Sequence, residues 1–137
     1  MSRGPLDLVV VEFPGDLPGT LAPKVARLVD QGAIRIIDVA FVRKDADGSV
    51  STFELTERAG DSAYEAFDSI VQAVDGLIGE EDLAAIGAEL GPGATAGVLL
   101  WENLWAAELR NDVQASGGRI ALAERIPADV VEALETV

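Results

Sequence analysis

The chain has 137 residues and a net charge of −14, with nearly half of its residues apolar and a quarter charged. That is the balance of one soluble globular domain, 1–137, long enough for a hydrophobic core. It has neither cysteine nor histidine, which excludes disulfides, thiolate nucleophiles, zinc clusters and imidazole acid–base chemistry within the chain.

The first apolar run, Leu6–Phe13, is β-rich and ends at the turn-forming "PGDLPG". Thr20 offers an N-cap for a helix that carries Leu21, Val25, Leu28 and Val29 on one side and stops at Gly32. Ala33–Lys44 reads as a long strand and Ser49–Glu57 as its partner. Tyr64, Phe67, Ile70, Val71, Val74 and Leu77 recur every three or four residues, an amphipathic helical pattern. "EEDLAAIGAEL" restarts a short helix that "GPG" (91–93) ends. "ATAGVLLWE" reads as a fourth strand, followed by a helix capped by Asn103 and closed by Gly117 and Gly118. "RIALAERI" reads as a fifth strand, and Pro127 opens a tail helix.

The resulting order predicts an α+β fold: a ferredoxin-like split βαβ sandwich (βαββαβ) with an added helix–strand–helix at the C-terminus. Leu8 and Val10 point one way in the first strand, while Val9, Val11 and Phe13 point the other. In the second, Ile36, Ala40 and Val42 oppose Ile37, Val39 and Phe41. Strands apolar on both sides are covered on both sides. Two helices on one face do not suffice; the two extra helices can cover part of the other face, and a homodimer or higher oligomer, packed sheet against sheet, is expected to cover it more fully.

Between the second and third strands, "KDADG" resembles half of a calcium loop. With Gly48 at its sixth position, however, the first ligand position is Arg43, a cation. Asp47-Gly48 suits a two-residue hairpin instead, with Val42 opposite Phe53 and Ala40 opposite Leu55. Asp45 and Asp47 remain only weak metal candidates at an acidic tip, and no cofactor is expected. Asp38, inside an apolar strand, and Glu102 are weak candidates for a catalytic acid or base. Trp101 and Trp105, where a strand becomes a helix, are candidates to line a ligand pocket or to pack in the core.

Charge bounds the partners. Residues 61–137 carry fifteen acids against three bases, so nucleic acid is not an expected partner, and the acidic surface reads either as a solvated exterior or as a face for a basic protein. The longest apolar runs fall far short of the roughly 20 residues that span a bilayer. The N-terminus makes a poor signal peptide, and the expected location is cytoplasmic.

Four segments together, "GPLDLVVVEFPG", "IRIIDVAFVRKDADGSV", "GEEDLAAIGAELGPGATAGVLLWE" and "ASGGRIALAERIPADVVEAL", resemble a family of small actinobacterial proteins of unknown function. That family is similar to a broader bacterial group labelled uncharacterised membrane proteins, with KDxDG, PGSSA and GGKV motifs. The matching residues here are 44–48, 92–96 and 117–120. The amphipathic, acid-bearing stretch between Gly60 and Gly79 replaces that group's glycine-rich apolar insertion, and with it the reason to expect membrane insertion. The resemblance implies no activity or catalytic set. The expected function is a non-catalytic oligomerising module acting through protein contacts, in stress adaptation or regulation. The alternatives are small-ligand binding near Trp101 and Trp105, or a carboxylate-based enzyme of the dimeric α+β barrel type.

Overall fold

A computed structural model describes residues 4–53, 62–67, 71 and 78–135. Its elements are β1 (Leu6–Phe13), α1 (Leu21–Asp30), β2 (Ile34–Lys44), β3 (Val50–Phe53), the single turn α2 (Ser62–Glu65), α3 (Glu80–Glu89), β4 (Thr95–Asn103), α4 (Leu104–Ala115) and α5 (Ala128–Glu135). The fold is α+β. Four strands form one sheet in the order β1-β4-β2-β3, and every pairing is antiparallel. β4 thus lies between β1 and β2, which run parallel to each other and are joined through α1.

The β2–β3 hairpin corrects the expected register by one residue. Phe41 faces Phe53 and Val42 faces Thr52. The Asp45 N–H donates to the Ser49 carbonyl, the Gly48 N–H donates to the Asp45 carbonyl, and Gly48 alone takes a left-handed φ of 91°. This is a three-residue loop ending in a left-handed glycine, so one residue is left out of the pairing that a two-residue turn would make. The shift brings the Phe41 and Phe53 rings together, 5.6 Å apart.

A second correction lies in β2. The register slips between Ile36 and Asp38, so Ile37 is the extra residue of a β-bulge. Beyond a bulge the alternation reverses, and Ile34 and Ile36 therefore share a face with Val39 and Phe41 rather than with Ala40 and Val42.

On that face Phe41 is fully buried among Phe53, Tyr64 and Phe67, with Leu99, Val11 and Phe13 beside it. α1 closes it with Ala22 and Val25. On the opposite face Ala40, Val42, Ala96 and Val98 pack with Leu83, Leu90 and Ala94 under α3. Gly87 lets α3 come close: a Cβ there would stand 2.6 Å from Val50 Cγ1.

Three further expectations change. The helix expected from Tyr64 to Leu77 does not run unbroken, because Val71 forms a parallel bridge with Ile36. Positions 70, 74 and 77 lie outside the described residues, as does the end of the third strand beyond Phe53. Asn103 precedes α4 without capping it by its side chain. The expected fifth strand, within residues 119–126, joins no ladder. Its alternating pattern is real, yet a strand exists only where another strand's edge accepts its hydrogen bonds.

Candidate interaction surface

The two carboxylate candidates are buried, and both serve the backbone. Asp38 sits at the bulge, where distorted pairing leaves N–H groups to satisfy. Its Oδ1 accepts from the Val39 N–H at 2.9 Å and its Oδ2 from the Ile78 N–H at 3.0 Å. Glu102, at the end of β4, accepts from the Gly4 N–H at 2.7 Å and from Arg35 through Nε (3.1 Å) and Nη2 (2.6 Å). A paired guanidinium and backbone donors offset the cost of burying a charge. This clamp ties the N-terminal end of the chain to the sheet. Arg35 was the missed signal: a cation among the isoleucines at the start of an apolar strand needs an acid on the neighbouring strand.

The hairpin loop is likewise engaged. Asp47 Oδ1 accepts from the Ser49 N–H at 2.9 Å and from the Ser49 hydroxyl, which holds its carboxyl below the ordinary value of 3.8. Asp45 pairs with Arg43, which also reaches Asp16 and donates to Thr95 Oγ1 at 3.1 Å. Lys44 donates through Nζ to the Leu90 carbonyl at 2.8 Å, closing the C-terminal end of α3. The Gly93 N–H donates to the Lys44 carbonyl at 2.7 Å. The "RKDADG" and "GPGAT" segments thus meet at one end of the sheet, as structural partners of each other. Among the described residues no three acidic side chains are grouped to hold a metal ion.

The tryptophans separate. Trp101 is half-buried against the aromatic core, whereas Trp105 on α4 is 56% exposed. Trp105 lines a cavity of about 390 Å³ with Pro5, Asp7 and Asn103 on one side and Ala123–Arg125 on the other. The Asn103 amide donates to the Pro5 carbonyl (3.2 Å) and to Asp7 (2.8 Å), and Asp7 also pairs with Arg125.

Among the described residues two apolar surfaces stand open, and sequence alone did not separate them from the core. The first is the outer strip of β1. Leu6, Leu8 and Val10 face the same side as α3, but α3 packs on β2 and β3 and stops short of them. Leu8 is 51% exposed and Val10 44%. The second is the C-terminal segment, where Leu122 is 80% exposed and Ile120, Ile126, Val130, Val131 and Leu134 also face water. No helix among the described residues is long and apolar enough to cross a membrane.

A family described as of unknown function, DUF6325, matches residues 2–137. The chain belongs to the DUF6325 family. Neither the curated proteins nor the solved structures contain a match to it. The match takes in the open β1 strip, the Arg35–Glu102 clamp and the C-terminal segment alike, so none of them is an addition to the family's extent.

Proposed function

We propose that this DUF6325 protein is a non-catalytic assembly module that acts by binding other polypeptides, first of all copies of itself. The observation that carries the reading is the pair of open apolar surfaces, Leu6, Leu8 and Val10 on the sheet and Leu122 to Leu134 in the C-terminal segment. Apolar groups spread over two such elements are costly to leave in water and are typical of contact surfaces. The use of Asp38 and Glu102 oxygens by backbone N–H groups and Arg35 supports a non-catalytic role. On this reading the acidic second half of the chain is a face for a basic protein partner, and the setting is cytoplasmic. The β1–α1–β2 unit, with β4 between its strands, supports a variant of the ferredoxin-like class. The kinship with the broader KDxDG-bearing group belongs to the same reading.

Light scattering coupled to size exclusion tests it. The expected mass at micromolar concentration is a multiple of 14.3 kDa. A monomer mass throughout the micromolar range would count decisively against self-assembly.

The cavity beside Trp105 supports a second reading, small-ligand binding, because its volume falls in the ordinary range for ligand sites. Trp105 emission during a metabolite screen reads it. A concentration-dependent shift lost in Trp105→Phe is the expected result, and a flat response across the screen retires it.

A further inference from the structure

We infer that the C-terminal segment, residues 119–135, docks on β1 of a second copy, adding Arg119–Ile126 to its free edge and laying α5 over Leu6, Leu8 and Val10. The inference rests on the assembly reading above and names its surface.

Among the described residues β1 pairs with β4 along one side, and no strand lies on its other edge. An edge strand left this way is a template for pairing with another chain. Arg119–Ile126 is the matching piece. It has eight residues, as β1 has, and its apolar residues Ile120, Leu122 and Ile126 fall at strand spacing on one side. In its own chain it belongs to no ladder, and Leu122 stands almost fully in water.

Charge selects this pairing. β1 carries two acids, Asp7 and Glu12, and no base. The segment carries Arg119 and Arg125 against one acid, Glu124, and these are two of only three bases in residues 61–137. In a chain of net charge −14 this is the part of the second half suited to an acidic strand. Arg125 already pairs with Asp7 of its own chain, so the attraction between these two elements is visible in one copy.

The remaining surfaces agree. α5 shows Val130, Val131 and Leu134 to water, at helical spacing along one side. The strip that α3 leaves open on β1 is apolar, and a helix on it would complete a two-helix layer beside α3. Within one copy Ala123, Glu124 and Arg125 line a cavity with Pro5 and Asp7, while Leu6, Leu8 and Val10 stay 40%, 51% and 44% exposed. Gly117, at φ 86°, and Gly118 precede it. A change of direction there delivers the same segment to a neighbour, the ordinary route of segment exchange between identical chains. Reciprocal exchange gives a closed dimer with two equal junctions.

Full-length Leu122→Asp and Leu8→Asp test this, since each changes an exposed side chain and leaves the core of one copy alone. The expected result is at least a tenfold loss of dimer affinity for each alone. A one-to-one mixture then recovers a dimer containing one chain of each, because one intact arm still meets one intact β1. A Leu122→Asp protein that dimerises like the wild type overturns the inference, as does a mixture that stays monomeric, the outcome for sheets packed face to face through Leu8. Hydrogen exchange of the unmutated protein gives an independent reading. Peptides from 119–126 exchange slowly in the dimer and at least tenfold faster after dilution to monomer. Fast exchange in both overturns the inference, and slow exchange in both assigns the segment to its own β1 and overturns it too. A wild type that never dimerises fails the assembly reading itself, and that failure shows before any substitution is made.

Discussion

The two faces of the sheet are cut from the same alternating strands, yet only one is finished. Facing α1, Phe41 has rings on three sides, Tyr64 at 4.7 Å edge-on, Phe53 at 5.6 Å and Phe67 at 5.7 Å, and no contact with water. Facing α3, the core is aliphatic and ends at β4, and β1 beyond it stands half in solvent. Apolar alternation therefore tells which side of a strand seeks cover without telling whose atoms provide it. The first face gets its cover from its own chain, whereas the second leaves Leu6, Leu8 and Val10 for something else.

Substitutions can break this contrast, beginning with the closed face. Phe41→Ala removes the ring on which three others rest and is expected to cost about 3–5 kcal/mol, lowering the thermal midpoint by roughly 10–20 °C in a calorimetric scan. Glu102→Ala leaves the Gly4 N–H and Arg35 without their acceptor. With Arg35 partly open to solvent, about 2 kcal/mol is expected in urea melts, with increased proteolysis of the first residues. Gly87→Val forces α3 away from Val42 and Val50 and is expected to cost about 1–3 kcal/mol by the same melts. Leu8→Ser, on the unfinished face, is expected to change monomer stability by no more than about 0.5 kcal/mol while weakening self-association. An equal loss at Leu8 and Phe41 in dilute monomer would erase the distinction.

The smallest effect is one of pH, in the hairpin loop. Hydrogen bonds from Ser49 lower the Asp47 carboxyl in the folded chain, so the stability they bring is present above the ordinary value of 3.8. It fades as acid takes the pH down through the lowered value. Carboxyl NMR titration is expected to place Asp47 below 3.8, and Ser49→Ala to return it toward that value.

Much of the fold was legible because its signals are local. β1 follows from a β-rich run that turn residues end, α1 from apolar spacing closed by Gly32, α3 from acids at its start and "GPG" at its end, and α4 and α5 from the Gly and Pro residues beside them. What escaped depended on single residues or on distant partners. Ile37 looks like any other apolar strand residue, yet it bulges and reverses the faces of β2. Asp47-Gly48 fits two hairpin loops that differ by one residue, and the stacking of Phe41 on Phe53 goes with the longer one. Arg119–Ile126 has the alternation of a strand but pairs with no strand among the described residues. Of the site, Trp105 at a pocket was within reach of sequence. The Arg35–Glu102–Gly4 clamp was not, since it joins residues 98 apart.

The position of β4 also bears on how the protein is made. β1 and β2 emerge early from the ribosome, but the strand that separates and pairs with both ends only at Asn103. At synthesis rates of about 5–20 residues per second, β2 waits roughly 3–12 seconds for that neighbour. For that interval Leu8, Val10, Ile36 and Phe41 belong to a nascent chain whose sheet cannot close. Until β4 arrives, short aliphatic stretches that the finished sheet hides stand open on the growing chain.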